Sequence, residues 1–131
     1  MKKTKLNIRL VEFSEKEITL LKELVKRTGC IPECKNFVLS EHIKAEEENI
    51  ECDLLMIKDN VQERNKKELF KKIKKLKINC FKALICQKFD DNVIHMAVES
   101  GIKDIFDNIQ DKRLYLFIHS IRDEKRKNIE R

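Results

Sequence analysis

Apolar and polar residues alternate along this chain in a pattern that predicts strands and helices in turn. Apolar positions predict strands over residues 5–13 and 36–40, over Leu54–Lys58, an apolar run that ends in a charge, and over residues 81–86 and 102–106. Ser14 and Glu17 have the spacing of a capping box, which predicts that a helix begins here. Ile18, Leu21 and Leu24 then recur at helical spacing, and Gly29 predicts the end of this helix.

Four more helical segments follow from the same patterns. Residues 41–49 form a polar segment, and residues 64–77 form an amphipathic one rich in lysine. Asp90 or Asp91 caps a helix closed by Gly101, and Asp111 caps the last helix. Five strands alternating with about five helices predict an α/β fold. We expect a flavodoxin-like, doubly wound parallel sheet with strand order 2-1-3-4-5.

The carboxyl ends of the strands are where such a sheet forms its functional crevice. The residues that end the first, third, fourth and fifth predicted strands are therefore the first candidates for a site. They are Glu12, Phe13, Lys58, Cys86 and Asn108.

Composition places the chain among globular domains. It has 131 residues, of which 41% are apolar and 40% charged, enough for one domain with one core. No apolar run approaches the roughly 20 residues that span a membrane, and no apolar segment like a secretory signal follows the N-terminus. Five cysteines without framework spacing indicate reduced thiols, so we expect a cytoplasmic protein.

The net charge of +6 is concentrated in residues 64–77, a segment that contains eight basic residues and one acidic residue. Leu69, Ile73 and Leu76 lie at helical spacing within the segment, so an amphipathic helix with a solvated lysine face is favoured. A surface for nucleic acid or anionic membrane is the alternative. The segment has little arginine and no interleaved aromatic residues for base stacking, so nucleic acid is not favoured as a partner.

Three stretches of the chain resemble the receiver domain of two-component response regulators. They are the Val11-Glu12 strand end, the strand over residues 53–58, and the sequence Glu-Ser-Gly-Ile-Lys-Asp-Ile-Phe over residues 99–106. The resemblance covers roughly residues 5–124. It implies an acidic pair after the first strand for magnesium and a phosphoryl-accepting aspartate after the third. It also implies a hydroxyl residue after the fourth strand, an aromatic in the fifth, and a lysine beyond it.

This sequence departs from the receiver pattern at most of those positions. The acidic pair corresponds to Glu12 and Phe13, the acceptor to Lys58, the hydroxyl residue to Cys86, the aromatic to Ile105, and the lysine to Asn108. An ammonium group accepts no phosphoryl group as an aspartate does, and it repels magnesium. The resemblance thus implies an atypical receiver without aspartyl phosphorylation, catalytic residue, metal or cofactor. Lys58 and Glu12, with opposite charges at adjacent strand ends, are expected to pair.

The function that we expect is non-enzymatic signal transduction through contacts with another protein. The partner would be a kinase, an output domain, another regulator or a second copy of the chain; no membrane is expected. Receivers generally use the face of the fourth helix, fifth strand and fifth helix. On this chain that face comprises Val93, Lys103, Asp104, Tyr115, His119 and Arg122.

Two other functions stay open from the sequence. A conventional phosphoacceptor would use a shifted aspartate, Asp59 or Asp53, and a polyanion-binding protein would use residues 64–77. We expect residues 1–124 to form the receiver-like domain and the charged residues 125–131 a helical extension or linker. The chain would then be a stand-alone adaptor or part of a longer regulator.

Overall fold

A five-stranded parallel sheet forms the centre of the molecule. The computed structural model describes residues 3–37, 52–58, 70–71, 73–74, 80–86, 91–102 and 104–130. Its elements are β1 (Thr4–Val11), α1 (Glu15–Arg27), β2 (Cys30–Phe37), β3 (Leu54–Lys58), β4 (Phe81–Ile85), α2 (Asp91–Glu99), β5 (Asp104–Phe106) and α3 (Lys112–Glu130). The strand order is β2-β1-β3-β4-β5, and every pairing is parallel, which confirms the predicted fold class.

Helices cover both faces of the sheet, and the alternation of side chains along β3 shows how. Leu54 and Met56 face a core formed with α1 and α3, whereas Leu55 and Ile57 face a second core formed with α2. All four residues are buried. A central parallel strand that is covered on both faces has to be apolar on both faces. For this reason β3 could be predicted from the sequence alone.

Helix α1 begins and ends as its sequence predicts. The Ser14 hydroxyl accepts from the Glu17 N–H at 3.2 Å, and the Glu17 carboxylate accepts from the Ser14 N–H at 3.0 Å. Gly29 follows the helix with a φ of +84°, a conformation that favours glycine. The guanidinium of Arg122, in α3, donates to the Thr28 carbonyl and ties the end of α1 to α3.

The predicted position of the second strand was wrong. The sequence indicated residues 36–40, but the strand spans Cys30–Phe37 and includes Pro32. It lies at the edge of the sheet, where a strand has one free side and tolerates a proline. Residues 38–40 and the predicted helix over residues 41–49 lie outside the described residues.

The lysine-rich segment is described at four residues, all helical. Phe70 and Ile73 are buried in the core on the α2 side of the sheet, and Lys71 and Lys74 are exposed. This arrangement is that of an amphipathic helix with a solvated basic face. The rest of the segment lies outside the described residues.

The last helix runs from Lys112 to Glu130 and crosses the predicted domain boundary at residue 124 without a break. Lys125 donates to the Lys5 carbonyl and pairs with Asp53 at 2.9 Å, and Arg126 donates to the Thr4 hydroxyl at 2.8 Å. These contacts hold residues 125 and 126 against the side of the sheet where the strands begin. A linker role for the residues beyond them stays a prediction.

Candidate functional site

The chain leaves β1 through a sharp turn at Glu12. This residue has a φ of +66°, in the left-handed region that non-glycine residues rarely adopt. Phe13 follows and is 5% exposed, packed in the core beside α1. Asn36, in β2, holds the turn from both sides: its Oδ1 accepts from the Phe13 N–H at 3.2 Å and its Nδ2 donates to the Phe13 carbonyl at 2.9 Å. The position of the second acid in receivers is thus filled by a buried ring.

Lys58 ends β3 and points toward α1. It is an even number of residues from Leu54 and Met56, so its side chain leaves the sheet on the same face, the one that α1 covers. Lys58 Nζ lies 2.7 Å from Glu17 Oε2, and the two side chains are 26% and 21% exposed. This ion pair is largely shielded from solvent and links the end of the central strand to the first turn of α1.

Glu17 serves both the helix and the site, one oxygen for each. Oε1 completes the capping box with the Ser14 N–H, and Oε2 binds Lys58. Burial of the Glu17 carboxyl opposes its ionisation, but the hydrogen bonds from Lys58 and with Ser14 outweigh burial and lower the pKa of Glu17 below its ordinary value. The carboxylate is therefore held in its charged form.

The opposite charges at adjacent strand ends predict that Lys58 pairs with Glu12 instead. The register places Val11 beside Ile57, so an extended strand would bring residues 12 and 58 together. The left-handed turn at Glu12 ends the strand before that happens. The carboxylate that the structure brings to Lys58 at 2.7 Å is that of Glu17.

The remaining departures from the receiver pattern have structural roles. Cys86 is 2% exposed, and its N–H donates to the Phe106 carbonyl at 2.9 Å, which joins the ends of β4 and β5. Ile105 is partly buried against the core on the α2 side. Asn108 is exposed, and its Oδ1 accepts from the Gln110 N–H at 2.8 Å, closing the turn toward α3.

Asp53, one of the two shifted phosphoacceptors that the sequence left open, lies away from Lys58. It precedes β3, at the amino-terminal edge of the sheet, whereas Lys58 is at the carboxyl-terminal edge. Its Oδ2 accepts from the Asn7 N–H at 2.7 Å and from Lys125 at 2.9 Å. The other alternative, Asp59, lies outside the described residues.

The residues of the predicted interaction face have different surroundings. Val93 is 2% exposed and packs in the core, because it lies four residues from the equally inward Ala97; its assignment to a surface was wrong. Asp104, Tyr115 and His119 are partly exposed. Arg122 is committed to the Thr28 carbonyl, and Lys103 lies outside the described residues.

An open groove of about 830 Å³ lies between α1 and the start of α3, beside Tyr115. Its apolar lining includes Leu20, Leu24 and Leu116, and Leu116 is 63% exposed. The sequence did not indicate this surface, since it forms only when two helices distant along the chain lie side by side.

Within the described part of the chain, no group of three acidic, histidine or cysteine side chains is placed to hold a metal ion. Over the same residues, no helix has the length and apolar character needed to cross a membrane.

Several solved structures that share this arrangement of strands and helices are response regulators or receiver domains. The chain has the receiver-domain fold. A two-component response regulator from Clostridium difficile superposes with a TM-score of 0.66 at 20% identity, over 90% of this chain and 94% of that one. The signal receiver domain of an HD-domain-containing protein from Pseudomonas fluorescens Pf-5 gives 0.67 at 16% identity, over 97% and 99%.

A third receiver-fold structure is an atypical orphan response regulator described as having a phosphorylation-independent regulatory mechanism. It superposes with a TM-score of 0.55 at 16% identity, over 88% of this chain and 94% of that one. No protein-family model and no curated protein sequence matches the chain.

Two residues of the site were missed by sequence reasoning as contributors to it. Glu17 was assigned to the capping box alone, although such a carboxylate has a second oxygen to offer. Asn36 was assigned to the start of a strand, and nothing in its surroundings along the chain indicates a contact with Phe13, 23 residues earlier.

Proposed function

We propose that this chain is a non-enzymatic signal-transduction module that acts through protein contacts and without aspartyl phosphorylation. The observation that carries the proposal is the Lys58–Glu17 ion pair at the end of the central strand. Receivers typically carry their phosphoryl-accepting aspartate at this position. Here the position holds a cation, and the nearby carboxylate is neutralised by it.

The chemistry of the site supports the same conclusion. Magnesium takes oxygen ligands in near-octahedral geometry and has to neutralise charge around a transferring phosphoryl group. The ammonium of Lys58 opposes a divalent cation, and the buried ring of Phe13 supplies no ligand. Of the acidic pair expected in receivers, only the carboxylate of Glu12 is present.

The direct test is to offer the chain a phosphoryl donor and look for a product. The full chain is incubated with acetyl phosphate and magnesium, and its intact mass is measured, with Asp59→Asn as the matched control. We expect no phosphorylated species in either protein. A phosphoryl adduct that forms on the unaltered chain but not on Asp59→Asn would establish the shifted phosphoacceptor and refute the proposal.

The protein-contact part of the proposal needs its own test. Partners captured from cells are purified, and their affinity for the chain is measured by calorimetry with Tyr115→Ala and His119→Ala on the proposed face. Lys22→Ala, an exposed change on α1, is the control. We expect the first two changes to weaken binding and the control to leave it intact. Steeply salt-dependent binding of DNA or RNA, in place of protein, would favour the polyanion alternative.

A further inference from the structure

Two cysteines approach each other at the amino-terminal edge of the sheet, opposite the edge that carries Lys58. Cys52 precedes β3 and Cys80 precedes β4, and their Sγ atoms are 3.0 Å apart. Both thiols are partly buried and free. They are 28 residues apart in the sequence, so nothing in the cysteine spacing indicated that they meet.

The sheet itself holds the two cysteines in place. Leu54 pairs with Phe81, and the Phe81 N–H donates to the Asp53 carbonyl at 3.2 Å. The Asp53 N–H donates in turn to the Asn7 carbonyl at 2.8 Å. The residues beside both thiols are therefore fixed by hydrogen bonds between strands, and the pair is a stable feature of the fold.

Their surroundings distinguish the two thiols. The hydrogen bond between the two thiols lowers the pKa of Cys52, assisted by the positive charges of Arg9 and Lys82 and opposed by burial and by Asp53. The same hydrogen bond and burial raise the pKa of Cys80. Since the thiolate is the reactive form, these directions favour Cys52 as the attacking thiol of the pair.

We propose that Cys52 and Cys80 form a modification site, a dithiol that a low-molecular-weight disulfide oxidises to an intramolecular disulfide. The Cys52 thiolate attacks one sulfur of the reagent, whose S–S bond breaks, and the other half leaves and takes up a proton. Cys80 then gives its proton to solvent and attacks the Cys52 sulfur, which expels the second thiol. Two electrons pass from the pair to the reagent.

The geometry favours the second step. A disulfide has an S–S length of about 2.05 Å, so the sulfurs have to approach by about 1 Å. Once Cys52 is bound in a mixed disulfide, its hydrogen bond with the Cys80 thiol is lost, and with it the main cause of the raised pKa of Cys80. The product links the amino-terminal ends of β3 and β4.

The test uses the full chain with oxidised glutathione as the reagent, followed by free-thiol counting and peptide mapping. The variants are Cys52→Ser, Cys80→Ser and, as the matched control, Cys34→Ser, which alters another partly buried thiol. Thermal unfolding of each variant checks that it is folded. We expect the unaltered chain and Cys34→Ser to lose two thiols and to yield a peptide linked through residues 52 and 80.

The two single variants separate the steps. Cys80→Ser is expected to stop at a glutathione adduct on Cys52, and Cys52→Ser to leave Cys80 unmodified. A dithiol that stays reduced, or a link that involves Cys34 instead, would overturn the proposal. An adduct on Cys80 in the Cys52→Ser protein would overturn the assignment of the nucleophile.

Discussion

Replacing Glu17 with glutamine tests the ion pair at the centre of the site. The change keeps the size of the side chain and its ability to accept from the Ser14 N–H, but it removes the charge that holds Lys58. Lys58 is 26% exposed, so its ammonium would be left partly buried without this counter-ion. The fold should therefore lose stability in proportion to how far the pair is shielded from water.

The expected loss lies between two known limits. Exposed ion pairs contribute roughly 0 to 1 kcal/mol, and breaking a fully buried pair costs about 3 to 5 kcal/mol. Glu17 and Lys58 are 21% and 26% exposed, so we expect about 1 to 2 kcal/mol, just above the range for exposed pairs. At about 2.1 cal/mol/K of unfolding entropy per residue, a chain of 131 residues would then lose about 4 to 7 °C in Tm.

A double-mutant cycle isolates the pair from its surroundings. Glu17→Gln, Lys58→Met and the double variant are unfolded by urea at pH 7, and we expect a coupling energy of about 1 kcal/mol. The matched control is the pair Lys5–Glu33, which is 3.6 Å long with side chains 65% and 48% exposed. Its coupling should be under about 0.5 kcal/mol.

The sign of the pH dependence follows from the lowered pKa of Glu17. Its ordinary value is 4.5, and the folded value is lower, so the contribution of the pair is fully present above 4.5. It is lost as the pH falls through the folded pKa, and the coupling should shrink in acid. A coupling at pH 7 no larger than that of Lys5–Glu33 would refute the view that Glu17 holds Lys58 in place.

Three further changes test the frame around the site by urea unfolding. Phe13→Asp places a carboxylate at a position that is 5% exposed, and it should lower the free energy of unfolding by about 3 kcal/mol or more. Phe13→Leu should lower it by less than about 1.5 kcal/mol. Equal losses of stability in the two variants would contradict the role of burial. Asn36→Ala removes two hydrogen bonds to Phe13 and should cost about 1 to 2 kcal/mol, against little change for the exposed Lys22→Ala. Gly101→Ala should cost about 1 kcal/mol or more, since φ is +87° there; a neutral result would contradict this conformation.

The comparison with prediction is clearest at the two strands next to β1. Leu54–Lys58 was placed correctly because a central strand has to be apolar on both faces, and that requirement is visible in four consecutive apolar residues, 54 to 57. Strand β2 was misplaced because an edge strand exposes one side and accepts Pro32, Glu33 and Lys35, which are not typical of a predicted strand. The local pattern thus located the central strand β3 better than the edge strand β2.

The candidate site, too, was predicted from the sequence only in part. That Lys58 ends the central strand, where receivers carry the acceptor aspartate, follows from the order of residues, and the structure places Lys58 at that strand end. That its partner is Glu17 depends on a left-handed turn at Glu12 and on the packing of α1 over β3. Neither leaves a signature in the spacing of charged residues.

The sequence by itself determined the fold class, the start of α1 and the cationic residue at the end of β3. These depend on the period of apolar residues, on a capping box of four consecutive residues, and on which residue ends a strand. Only the tertiary structure decided that Lys58 binds Glu17, that Val93 is buried and that Cys52 meets Cys80. Each of these depends on the packing of separate elements, and their geometry is set by the core as a whole.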